Sequence, residues 1–80
     1  MRYFKCTYKD SKIIPNLHRS GDYIIIQTND PSYFKVIGGS DFYMHLKSVR
    51  IPKLMADSFL NNSNLDVEEL NEHDLFLEFI

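Results

Sequence analysis

The sequence predicts an α+β fold: an antiparallel sheet of about four strands, residues 2–9, 22–29, 33–38 and 42–49, with a C-terminal helical region packed on one face. Three observations carry this. Residues 23–28 form the most strand-prone run in the chain, with Ile24, Ile25 and Ile26 behind Tyr23; consecutive β-branched residues favour strands. Three further segments alternate apolar and polar side chains, the period-2 pattern of a half-buried strand. At Pro52 the pattern changes to one of helical spacing.

In chain order, Phe4, Cys6 and Tyr8 fall on one face of the first strand, and Tyr3, Lys5, Thr7 and Lys9 on the other. Asp10, Ser11 and Lys12 read as a turn. Residues 13–20 read as a loop with one short edge segment, because Pro15 excludes a central strand and pushes Ile14 to extended geometry. The isoleucine run, between Gly21-Asp22 and Asn29-Asp30-Pro31, reads as the buried central strand. Phe34 and Val36 then face inward, with Tyr33 and Lys35 outward. Gly38-Gly39-Ser40-Asp41 reads as a tight hairpin turn. Phe42, Met44 and Leu46 alternate inward and Tyr43, His45 and Lys47 outward, with Val49 and Ile51 as a continuation.

Pro52 suits the first turn of a helix. Leu54, Met55, Ser58 and Phe59 share the face expected to pack, and residues 61–64 end the element. A second helix is expected from Asp66, whose capping partner would be Glu69, three residues on. Val67 and Leu70 would be buried beneath it. Residues 75–80 suit either a continued helix or a closing strand, and their aromatic content favours the strand.

Eighty residues with 44% hydrophobic and 25% charged content point to one small globular domain spanning residues 1–80. A single cysteine, Cys6, rules out an intrachain disulfide and fits a reducing cytoplasm better than secretion. No signal-peptide pattern and no membrane-spanning apolar stretch is expected. Charge is split. Residues 1–50 hold eight Lys and Arg against four Asp, a net +4, and residues 51–80 hold one Lys against seven acids, a net −6. Such asymmetry suggests partner binding or self-complementarity, a homodimer included, or attraction between the halves inside the fold.

The chemistry-bearing residues do not form a catalytic pattern. Cys6, His18, His45 and His73 lie far apart in sequence, so neither a metal site nor a cofactor is expected. Cys6 is on an inward strand face, where a thiol is usually inert. Gly38-Gly39-Ser40 lacks the Lys-Ser/Thr of a phosphate loop and precedes a strand pattern. An enzyme is not expected.

Two surfaces remain. Asp66, Glu68, Glu69, Glu72 and Asp74 concentrate five carboxylates in nine residues, a ridge able to steer toward a larger protein partner with a basic surface. Helical spacing would put Glu68 and Glu72 on one stripe, so reversing both charges is expected to leave stability unchanged or slightly raised. Ala56 is the only alanine, while Ile, Asn, Lys, Tyr and Phe abound, suggesting an AT-rich genome. Small acidic chains of this kind are often phage inhibitors, immunity proteins or antitoxins. The leading expectation is therefore a small cytoplasmic, non-catalytic protein that inhibits or regulates a larger partner. The alternative is a single-stranded nucleic-acid-binding module using Tyr3, Lys5, Tyr33, Lys35, Tyr43 and Lys47, whose rings would stack bases and whose ammonium groups would neutralise phosphates.

Overall fold

A computed structural model describes residues 1–9, 21–30, 32–40 and 46–79. The turn at 10–12, the loop at 13–20, Pro31, Asp41 and residues 42–45 of the expected fourth strand lie outside the described residues. The elements are β1 (Arg2–Tyr8), β2 (Tyr23–Asp30), β3 (Tyr33–Gly39), β4 (Arg50–Ile51), α1 (Lys53–Leu60), β5 (Leu65–Leu70) and α2 (Glu72–Glu78). The five strands form one antiparallel sheet in the order β4-β3-β2-β1-β5, so the architecture is α+β as the sequence predicts.

β2 is the central strand, and its isoleucines are buried on both sides. Ile24 and Ile26 stand opposite Cys6 and Phe4 of β1. They join a core of Cys6, Phe34, Val36, Ile51, Ala56 and Leu65 on the sheet's first face. Ile25 points to the second face and is 1% exposed. The inward positions expected for Cys6, Phe34 and Val36 are those observed.

α1 links β4 at one edge of the sheet to β5 at the other, and touches β3, β1 and β5 on the way. Its packed face differs from the sequence reading. Ala56 is buried, with Phe59 and Leu60 packed against the core, whereas Leu54 is 84% exposed and Met55 is also exposed. The i, i+3, i+4 set beginning at Ala56 wins because a small side chain at its head brings the helix close to the sheet.

Four other expectations are corrected. Gly38 and Gly39 are not a turn but the end of β3, opposite Ile25 and Ile24. The strand expected to run to residue 49 is interrupted at residues 46–48, where Ser48 adopts a left-handed φ of 68°. Its N–H donates to the Val36 carbonyl at 2.7 Å. Alternation cannot pass through such a residue, and β4 is only Arg50–Ile51 because Pro52 cannot donate to a ladder. The acidic segment is not a helix from Asp66 but the edge strand β5, paired with β1. Leu70 is buried, yet Val67 is 40% exposed, since period-2 geometry at an edge leaves it outside the cover of α1. The last residues form a helix rather than a closing strand. Asn71 is its N-cap, its side chain accepting the Asp74 backbone N–H at 2.8 Å, and Glu72 and Asp74 favour the positive end of the helix dipole.

Candidate interaction surface

The five acids of the expected ridge separate once β5 and α2 are in place. Period 2 sends Asp66 and Glu68 to the second face and Glu69 to the first. Glu69 meets Arg2 in a two-pronged pair: Nη2 donates to Oε1 at 2.9 Å and Nε to Oε2 at 3.0 Å. This hydrogen bonding, with the coulombic attraction behind it, holds the Glu69 carboxyl below its ordinary range and raises Arg2. Asp66 pairs with Lys9 at 3.4 Å. Asp74 is half-buried in the first turn of α2. Glu68 and Glu72 are exposed, and among the described residues neither forms an ion pair. A further acid outside the ridge, Glu78, accepts from Lys5 Nζ at 2.8 Å. Part of the charge split is thus internal: Arg2 and Lys5 of β1, and Lys9 just beyond it, are matched to β5 and α2.

The second face collects the rings and cations. Register puts Tyr3, Gln27, Lys35 and Arg50 in one row across β1, β2, β3 and β4. Lys5 lies one row on, opposite Ile25 and Glu68. Tyr33 shares the face with Lys35, two residues away. The Arg50 guanidinium sits 4.8 Å from the Tyr33 ring centre, and the Lys5 ammonium 4.8 Å from that of Tyr23. Tyr3, Lys5, Tyr33 and Lys35 therefore come together. Lys47, in the turn before β4, reaches this face at the cleft it borders with Tyr23 and Glu78, and Tyr43 is outside the described residues. Arg50 and Tyr23 escaped the sequence reading. Arg50 alternates with the buried Ile51, a two-residue signal, and Tyr23 was hidden at the head of an apolar run.

α2 rests across this face. Leu75 and Glu78 turn toward the sheet and are half-buried. Phe79 lies over Gly38: a Cβ there would stand 3.0 Å from its ring. Lys47, Tyr23, Glu78 and Phe79 border a shallow cleft of about 230 Å³ beside it. A larger cleft of about 510 Å³ opens at the end of the first face, among Met1, Arg2, Phe4, Phe34 and Leu60. Its one charged side chain, Arg2, lies 5.0 Å from the Phe4 ring centre and is already held by Glu69.

Cys6 is fully buried, and burial pushes its thiol up to about 11. It stays protonated, and so unreactive, at neutral pH. His73 is exposed on α2. Among the described residues no three His, Cys, Asp or Glu side chains converge as metal ligands would, and no helix is long and apolar enough to cross a membrane. Comparison with family models, curated proteins and solved structures gave no match to this chain.

Proposed function

We propose that this chain is a non-catalytic interaction protein that inhibits or regulates a larger partner with a basic surface, binding through the outer edge formed by β5 and the start of α2. The observation that carries this reading is the pair Glu68 and Glu72, both exposed and, among the described residues, in no ion pair. Asp66 and Glu69 are used to hold β5 to β1. Glu68 and Glu72 are exposed, next to the exposed Val67 in the chain and on the edge, and the Lys5 opposite Glu68 is bonded to Glu78 instead. An edge strand has backbone groups without a strand partner on its outer side, and negative charge around it selects and steers a basic partner.

The test is capture from host lysate with the wild-type chain and with Glu68→Lys/Glu72→Lys as baits, followed by association kinetics on the captured protein. The wild type is expected to retain a partner that the double variant loses, with an on-rate that falls with salt. Equal capture by both overturns the reading. The charge reversal is expected to cost a few tenths of a kcal/mol, not to raise stability as a helical stripe would have implied. Glu68 stands directly opposite Lys5, and Glu72 lies in the first turn of α2; a lysine is unfavourable at both places.

The second face supports a second reading, single-stranded nucleic-acid binding. Tyr3, Lys5, Tyr33 and Lys35 share it with Arg50, although Glu78 neutralises Lys5. Labelled oligonucleotides should then bind with a steep salt dependence and be lost on Tyr33→Ala. Absence of binding at low salt excludes it.

A further inference from the structure

The second face is divided by charge and carries an apolar ridge. At one end Lys35 and Arg50 face each other across the β3–β4 ladder, with Tyr33 against Arg50. Among the described residues neither cation forms an ion pair. At the other end stand Glu68 and Glu72, likewise in no ion pair among the described residues. Between them α2 shows its apolar side chains to solvent: Phe76 is 63% exposed, Leu77 49% and Phe79 50%. Glu72 and Phe76 are four residues apart, one stripe of the helix. The arrangement is inverted for an isolated chain, because Glu78 is turned to the sheet while Phe76 and Leu77 are turned away from it.

We propose that this face closes on a second copy of the same chain. The ridge of Glu72, Phe76 and Leu77 of each copy seats on Tyr33, Lys35 and Arg50 of the other. A two-fold axis brings both contacts about at once, which is how a self-complementary patch forms a closed dimer. Charge complementarity names the occupant. The acidic ridge and the basic patch lie side by side on one face, so an axis midway between them lays each on its opposite. The molecule measures 33 × 29 × 22 Å, and its broad face is large enough for the ~800 Å² that each partner gives a standard interface. Phe, Tyr and Arg are also the residues that interface centres favour.

Sedimentation equilibrium tests this. The wild type is expected at twice the 9.5 kDa of one chain, dissociating on dilution. Phe76→Ser/Leu77→Ser should be monomeric where the wild type is dimeric. Lys35→Glu/Arg50→Glu should weaken the dimer about tenfold or more at low salt. Adding Glu72→Lys to that variant should recover most of the loss, and more than Asp57→Lys, which changes the net charge equally, as contact between the two patches requires. Arg50, Glu72, Phe76 and Leu77 are exposed and Lys35 is half-buried, and circular dichroism is expected to show the fold retained. A wild type monomeric at millimolar concentration, a dimer unmoved by these variants, or no recovery in the triple variant overturns the proposal. Lysate capture that survives Phe76→Ser/Leu77→Ser separates this face from the edge that the functional reading uses.

Discussion

The two faces of the sheet are built by different means. Under α1, Cys6, Ile24, Ile26, Phe34, Val36, Ile51, Ala56 and Leu65 are all buried and apolar. Under α2 the buried apolar side chains are Ile25 and Leu70, and the helix itself has no buried residue among those described. It is held by the Lys5–Glu78 ion pair and by the Phe79 ring on Gly38. Apolar burial contributes about 1.5–3 kcal/mol for each large side chain, while an exposed or half-exposed ion pair gives at most about 1. The first face thus supplies most of the stability. The second presents charge and aromatic surface to solvent.

The largest effect that can test this division is on the first face. Phe34→Asp puts a charge where the side chain is 6% exposed, and should cost several kcal/mol, enough to unfold a domain of this size. A variant with a wild-type melt would place the core elsewhere. The same face should hide Cys6. Labelling by a thiol reagent at neutral pH should be slower in the native chain than in denaturant by roughly a thousandfold. The pH dependence has a definite sign. The thiol ionises near 9.0 when unfolded and near 11 when folded, so folding is disfavoured only where the unfolded thiol can ionise. This stability is fully present below pH 9 and is lost as pH rises toward 11. Cys6→Ala should remove that part of the alkaline fall.

On the second face effects should be smaller and local. Gly38→Ala brings a methyl within 3.0 Å of the Phe79 ring. The ring is half exposed near the chain end and can swing aside, so the cost should sit near 1 kcal/mol, the low end for overpacking. Amide exchange should quicken in α2 and stay unchanged in β2. Equal acceleration in both would mean that α2 opens only with the whole molecule.

These differences also explain what the sequence disclosed. The first face was legible because burial writes a period into the chain: Phe4 and Cys6 in β1, the isoleucines of β2, and Phe34 and Val36 in β3. The same alternation placed Tyr3, Lys5, Tyr33 and Lys35 together. The acidic edge was not legible, because Asp and Glu are poor strand formers. What makes residues 65–70 a strand is β1, which sets Lys5 opposite Glu68 and brings Arg2 and Lys9 to Glu69 and Asp66. Such pairing has no local signature. The helix-start signal was present but five residues later than read: Asn71 with Asp74 has the spacing assigned to Asp66 with Glu69. Gly38 gives no sign in the sequence that its missing Cβ seats Phe79.

The smallest expected effect separates two ion pairs, one on each face. Arg2–Glu69 lies on the first face and has the better geometry, two hydrogen bonds of 2.9 and 3.0 Å. Lys5–Glu78 has one, at 2.8 Å, on the second. Exposure reverses the ranking that geometry suggests. The Arg2 and Glu69 side chains are 63% and 48% exposed, and those of Lys5 and Glu78 24% each. Water and salt screen the first pair more. Lys5→Gln also loses the contact with Tyr23 and leaves Glu78 half-buried without its cation, so it should cost about 0.5–1 kcal/mol and loosen α2. Arg2→Gln should lower the melting temperature less at neutral pH. Its distinct mark is in acid. Because Arg2 depresses the Glu69 carboxyl, the pair's contribution is present above the ordinary carboxylate range and is lost as pH falls through the folded value. Arg2→Gln should therefore differ from wild type at neutral pH and converge with it in acid, and high salt should shrink the gap further. If Arg2→Gln proves the more damaging of the two, the β1–β5 edge depends on exposed charge more than α2 does, and the contrast between the faces is not one of charge against apolar burial.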